Sequence, residues 1–233
     1  DAGNGYYYIV SNLGTVLDVS NGSTANGTNV QTYTLNKTNS QKWKLISDSK
    51  NSDLYSIMGT TSTTASQMAN YFIAKGGKYP YSGNSVAPTI KDFCQIYIDE
   101  CKAEGVKAEV AFAQAMMETG FLRFGGDVKK EQYNFAGLGA TGNGASGNGF
   151  ESIRIGIRAQ VQHLKAYAVK NPAFANQVVD KRYSPWFAAN RSGTAPYIEW
   201  LGISENPSGF GWAAEKGYGY SILNDYMNQL YKY

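Results

Sequence analysis

The hydrophobic pattern of this chain changes period once, and that change limits what the chain can fold into. Up to residue 58 the apolar residues come in short runs, GYYYIV, TVLDV, NVQTYTL and QKWKLI, broken by Asn, Gly and Ser. Runs this short and this rich in Tyr, Val and Thr predict four short β-strands. Beyond residue 67 the apolar residues recur at helical spacing. Between the two lies GTTSTTASQ at 59–67, small and polar, which reads as a linker or a helix start. The expected organisation is α+β: a β region at 1–58, a linker at 59–67 and a mainly helical domain at 68–233. A length of 233 residues suits one large domain beside a small one.

Within the helical part, SQMANYFIAKG predicts a short helix with Ser66 as its N-cap. Tyr79 to Pro88 reads as loop. Thr89 to Gly105 carries a cap at each end, and Lys107 to Glu118 is a second helix ended by Gly120. Residues 152–170, SIRIGIRAQVQHLKAYAVK, begin extended or helical and end helical. The last fifteen or so residues close the chain as a helix.

Cys94 and Cys101 look like a disulfide until geometry is applied. Seven residues along a helix separate their Cα atoms by about 10 Å. A disulfide needs less than about 7 Å. They are expected as unpaired thiols on one apolar face with Ile90, Phe93, Tyr97 and Ile98.

The net charge is +3, too mild to indicate nucleic acid and compatible with an acidic polymer such as a cell wall. No segment has the apolar length to span a membrane. The opening DAGNGYYY is what a secreted chain shows after signal removal. Eighteen Tyr, ten Phe and four Trp suit either the cover of strands or the binding of sugar rings, whose apolar faces stack on aromatics.

Glu118 follows the apolar helix VAFAQAMM and precedes Thr119 and Gly120. There it meets the negative end of the helix dipole and apolar neighbours, and both disfavour its charge. A general acid of glycoside hydrolysis needs such a raised pKa. From position alone, the same pattern also describes a solvated glutamate at a helix end. GLGATG at 137–142 and GNGASG at 142–147 both spell G-x-G-x-x-G. A dinucleotide site would need a strand before and a helix opening at the last Gly, whereas more Gly and Asn follow here. A mobile loop beside a cleft is the better account. His163 lies in a helical run without Cys or His partners at metal spacing, and a structural role is expected.

AEVAFAQAMMETGFLRFGGDV followed by EQYNFAGLGATG resembles the catalytic core of glycoside hydrolase family 73, the β-N-acetylglucosaminidases of bacterial cell-wall remodelling. GIRAQVQHLKAY, GTAPYIEWLGISENP and GWAAEKGYGYSIL extend the likeness over about residues 66–233. The resemblance implies a lysozyme-like, mainly helical fold with a small β-lobe, and Glu118 as general acid. It places a second carboxylate, Glu151, before Ser152-Ile153 on that lobe. It puts Asn134 and Phe135 in the cleft, Phe135 being equally a core candidate, and Trp200 in the cleft or supporting it. Trp212 stands where many members carry the Tyr of a Y-A-T-D-P-type segment; Tyr218 or Tyr220 could supply a hydroxyl in its place. No metal or organic cofactor is implied.

The N-terminal LDV, Tyr33 and the Q-x-W of Gln41 to Trp43 resemble one repeat of a ricin-type β-trefoil lectin. That likeness implies a sugar site at Asp18, Tyr33 and Gln41, with Trp43 in the repeat's core; Ser40 stands where the family has Asn. One repeat cannot close a trefoil barrel, so the region is either the last repeat of a longer parent or packed on the catalytic domain.

The expected activity is hydrolysis of the β-1,4 bond between N-acetylglucosamine and N-acetylmuramic acid in a peptidoglycan glycan strand, by a secreted, wall-associated autolysin. A further carbohydrate could bind the N-terminal repeat. A muramidase or lytic transglycosylase of the same fold is one rival; a wall-binding module without turnover is another.

Overall fold

The computed structural model describes residues 1–44, 54–140, 144 and 146–233. Its contacts separate two compact units, Asp1–Asp53 and Leu54–Tyr233.

In the first unit, β1 (Val16–Val19) and β2 (Val30–Tyr33) pair antiparallel, with Val16 opposite Tyr33 and Val19 opposite Val30. Among the described residues two strands stand where four are expected. The first outer run meets β1 through a single bridge, Val10 with Val16, and the first and last runs bridge each other, Tyr7 with Trp43. The end of the QKWKLI run lies outside the described residues. Trp43 donates from its indole to the Leu17 carbonyl at 3.0 Å.

The second unit begins earlier than the polar stretch suggests. The Ile57 amide donates to the Pro196 carbonyl, and the Lys107 amide donates to that of Ile57. The 59–67 stretch serves as a helix start. Thr61 accepts from the Ala108 amide at 3.0 Å, and Thr64 forms a capping box with Gln67. The cap of α1 (Ala65–Ala74) is thus Thr64 rather than Ser66. Both are capping types, and only Thr64 has a Gln three residues on to reciprocate.

Helix α2 (Ile90–Glu104) starts at Thr89, boxed with Asp92, and stops at Gly105 as expected. Helix α3 (Ala108–Thr119) is almost wholly buried, and α4 (Ile153–Ala168) is helical from its cap at Ser152. A short α5 (Pro185–Asn190), capped by Ser184, was not expected. Helix α6 spans 218–230 and widens to a π-helix over Ile222–Met227. Between α3 and α4 the described residues run as turns, loop and one short 3-10 turn at Lys130–Gln132, with no strand ladder.

The core gathers Phe93, Tyr97, Phe112, Met116, Phe135, Ile153 and Ile157, all essentially sealed from solvent. At its edge Glu100 of α2 accepts from Arg154 and Arg158 of α4, each at 2.8 Å. Cys94 and Cys101 are free and buried on α2, as the helical spacing requires.

Candidate active site

Glu118 sits one residue before the end of α3, which stops because Gly120 adopts the left-handed conformation. Phe121, Leu122 and Phe124 then follow at positive φ, an uncommon conformation for side chains of that size. It is held by the Phe121 amide on the Met116 carbonyl at 2.8 Å and the Leu122 amide on the Thr119 hydroxyl at 3.0 Å. Leu122 is buried, so core packing stabilises the strained turn.

The Glu118 residue is exposed as a whole, while its carboxyl head is crowded by protein. That desolvation raises its pKa above the ordinary glutamate value; donation from Tyr218 opposes the rise and the charge of Glu215 adds to it. The two carboxyl oxygens meet different surroundings. Oε1 accepts the Tyr218 hydroxyl. Oε2 faces Gly137, where an added Cβ would stand 3.5 Å away. Gly137 has φ +62°, so a side chain there would be strained as well as intrusive.

Glu118 opens into a cavity of about 350 Å³, whose other walls include Gly137, Leu138, His163, Arg182 and Trp212. Trp212 packs edge-on to His163 at 4.7 Å between ring centroids. His163 is itself fixed by Asp180, Nδ1 to Oδ2 at 2.6 Å, so the expected structural role holds and the ring also backs the cavity wall. A second cavity, of about 380 Å³, is lined by Tyr71, Lys75, Phe121, Glu215, Tyr218 and Tyr226. Tyr218 lines this cavity and Glu118 the other, and the two side chains are hydrogen-bonded.

Other expected site residues fall elsewhere. Phe135 is fully buried, ringed by Phe93, Tyr81 and Phe124, and belongs to the core. Asn134 is buried too, and all of its amide is committed to the backbone. Its Oδ1 accepts from Leu138 at 2.9 Å, and its Nδ2 donates to the carbonyls of Leu138 and Asn148. It shapes the rim loop rather than meeting a ligand. Trp200 packs against Tyr197 and is not among the residues lining the Glu118 cavity. Tyr220 is 46% exposed and is not among the residues lining that cavity. Glu151 is exposed immediately before the α4 cap and does not line the cavity either. The Asn148 amide donates to the Leu138 carbonyl at 2.7 Å, and the next helix starts only at Ile153, so no helix opens at Gly147; residues 141–143 and 145 of the Gly-rich segment lie outside the described residues.

Sequence reasoning passed over Gln114, Gly137 and Glu215. Gln114 had a readable signal: it is the one polar side chain inside VAFAQAMM, one helical turn before Glu118 and hence on its face.

In the first unit, Asp18 and Tyr33 come together, lining a cavity of about 490 Å³ with Asn39 and Ser40. Gln41 does not join them. It is fully buried and its amide holds the chain: Oε1 accepts from Asn36 and Lys37, and Nε2 donates to the Thr34 carbonyl at 2.9 Å.

A carboxyl whose pKa is raised by burial, lining an aromatic-walled cavity on a helical frame, has the form of a glycoside hydrolase acid site. The sequence model of the glucosaminidase family, described as mannosyl-glycoprotein endo-β-N-acetylglucosaminidase, matches residues 94–232. That is more than half of the chain, and the chain belongs to this family. A model for ricin-type β-trefoil lectin-like domains matches residues 1–76. An uncharacterised protein of Borreliella burgdorferi is 46% identical over 115 residues, covering 49% of this chain and 50% of its own length. The chain thus spans about half the length of the curated relative it matches.

Proposed function

We propose that this chain hydrolyses peptidoglycan at the β-1,4 bond between N-acetylglucosamine and N-acetylmuramic acid, with Glu118 as general acid, and that it acts outside the cell at the wall. The observation that carries the reading is the Glu118 carboxyl itself, raised in pKa by its surroundings and with Oε2 beside Gly137, which lines the same cavity. In the reaction Oε2 gives its proton to the glycosidic oxygen as the C1–O bond breaks, and water finally supplies hydroxyl to C1 and returns a proton to Glu118. The cavities lined by Glu118 and by Tyr218 suit sugar units on either side of the scissile bond, with Trp212 as a stacking wall.

Glu151 is the proposed second carboxylate, positioning the attacking water or the substrate's acetamide. Its support is its place ahead of Ser152-Ile153, next to a Gly-rich segment. Asp18 and Tyr33 are proposed to hold a sugar in the N-terminal unit, on the strength of their shared cavity and the lectin-like match.

The test is digestion of purified peptidoglycan with mass spectrometry of the products, which should carry N-acetylglucosamine at the reducing end. Glu118→Gln should keep the fold and lower kcat by about 10²–10⁴-fold, the usual worth of a general acid. Retention of more than about a tenth of wild-type turnover would reject the assignment. In the same assay Glu151→Gln should lower kcat far more than it raises KM; full activity would transfer the second role to the substrate's own N-acetyl group.

A further inference from the structure

Gln114 and Gln160 are both fully buried, in the middle of helices whose neighbours are apolar. A buried amide is costly unless every polar atom finds a partner, and these two find theirs in one continuous chain. Tyr97 on α2 donates its hydroxyl to Gln160 Oε1 at 2.7 Å. Gln160 on α4 donates from Nε2 to Gln114 Oε1 at 2.8 Å and to the Ala111 carbonyl at 2.9 Å. Gln114 on α3 donates from Nε2 to the Tyr218 hydroxyl oxygen at 3.0 Å. Tyr218 on α6 donates to Glu118 Oε1. Four helices each contribute a link.

The direction of this chain is set at one point. An amide's oxygen and nitrogen can exchange places, and a hydroxyl can turn either way, so a side-chain chain alone could run in both directions. The Ala111 carbonyl cannot donate. The Gln160 atom beside it must therefore be the nitrogen. That nitrogen also faces Gln114, whose oxygen must then meet it, leaving the Gln114 nitrogen to face Tyr218. With a lone pair of its oxygen occupied by that N–H, Tyr218 has its own hydrogen left for Glu118.

We propose that Gln114 and Gln160 are positioning residues of the acid: anchored by the Ala111 carbonyl, they hold the Tyr218 hydrogen on Glu118 Oε1 and so reserve Oε2 for the proton that is transferred. The proposal rests on the reading of Glu118 as general acid. Burial, then the charge of Glu118, keep Tyr218 protonated well above the usual tyrosine range, with the Gln114 bond opposing them, so Tyr218 serves as a donor throughout the working range. Hydrogen bonds in series polarise one another, which makes the Tyr218 donation depend on links that never touch Glu118.

Steady-state kcat and kcat/KM are to be measured against pH for wild type, Gln114→Met, Tyr218→Phe and the double variant. The charged and titratable groups facing Glu118 are Tyr218, Glu215, His163, Tyr167 and Arg182, and Gln114→Met alters the charge of none. Weakening donation to the ionised carboxylate raises the pKa of Glu118. The basic limb of the profile, where the acid loses its proton, should therefore move to higher pH in Gln114→Met, by about half a unit or more. At the plateau kcat should fall about tenfold with little change in KM. Tyr218→Phe should move the limb the same way, and the double variant no further than Tyr218→Phe alone, because Gln114 acts through that hydroxyl. A limb that stays in place, with activity lost equally at every pH, or losses that simply add, would overturn the proposal. Should Gln114→Met fail to fold, Gln114→Asn keeps an amide one carbon short of its partners and is read by the same criteria. Activity surviving in Glu118→Gln would instead defeat the acid assignment, whatever Gln114→Met does.

Discussion

In the N-terminal unit the buried side chains among the described residues are Val16, Asp18 and Gln41, while Tyr6, Tyr7, Ile9, Val10 and Leu13 are exposed. In the C-terminal unit the order is inverted. Phe, Tyr, Ile and Met fill the interior, and buried polar groups there such as Gln114, Gln160 and the His163–Asp180 pair are matched to partners. One unit is held by a side-chain amide tying its loop, the other by apolar burial. A reactive carboxyl is served by the second kind of setting, because a dense low-dielectric surround raises its pKa and makes a single hydroxyl donation count.

The sharpest break of this comparison would come from the core of the helical unit. Phe135→Ala removes a ring wedged among Phe93, Tyr81 and Phe124 and should cost about 3–5 kcal/mol in urea unfolding followed by circular dichroism. A cost below about 1 kcal/mol would mean that this core repacks freely, contrary to a density like that of other protein interiors.

Next in size is the clamp between α2 and α4. Glu100→Gln takes the anion from Arg158 and leaves Arg154 only Asp99, at 3.6 Å, and should cost about 2 kcal/mol, less than for a wholly buried pair since both arginines reach solvent. The sign of its pH dependence follows from Glu100. Burial acts to raise its pKa, but the hydrogen bonds and charges of Arg158 and Arg154 outweigh that and leave it below the ordinary value. A carboxylate lowered in the folded state contributes stability above its unfolded pKa, about 4.3, and loses it as pH falls through the folded value. The gap between wild type and variant should therefore be full at neutral pH and shrink in acid. A gap that is constant down to acid pH would show that packing, not charge, is what the substitution removed.

How far these features were legible beforehand follows the range of the interactions that make them. Helix α2 was readable because Thr89, Asp92 and Gly105 act within a turn of their own ends. Glu118 was readable because its helix end and its motif are local. Helix α5 was missed although Ser184 and Pro185 carry a start signal, because six residues are too few for a period to show. The sides taken by Asn134 and Phe135 were not legible, since the same NFAGLG run could turn either residue to the cleft. The Gln114–Gln160 contact joins positions 46 apart in sequence, and nothing in either helix alone announces the other. In the first unit, four strands were expected because short Tyr-, Val- and Thr-rich runs predict extended chain, but a ladder also needs a partner along its length, and among the described residues only β1 and β2 have one.

The smallest expected effect tests the other half of the comparison. Gln41 is the residue around which the N-terminal loop is tied, through two backbone amides and one carbonyl. Those backbone groups belong to Thr34, Asn36 and Lys37, all exposed residues, so water can take the place of the lost amide. Gln41→Ala should then cost about 1 kcal/mol, the net worth of ordinary hydrogen bonds, rather than the larger penalty of groups left dry. The loss should appear as faster amide exchange at Asn36 and Lys37, with protection in α2, α3 and α4 unchanged, since the helical core does not depend on that loop tie. If Gln41→Ala instead cost several kcal/mol, or loosened the helices as well, the N-terminal unit would be drawing its stability from apolar burial after all, and the contrast between a tied loop and a packed core would fail.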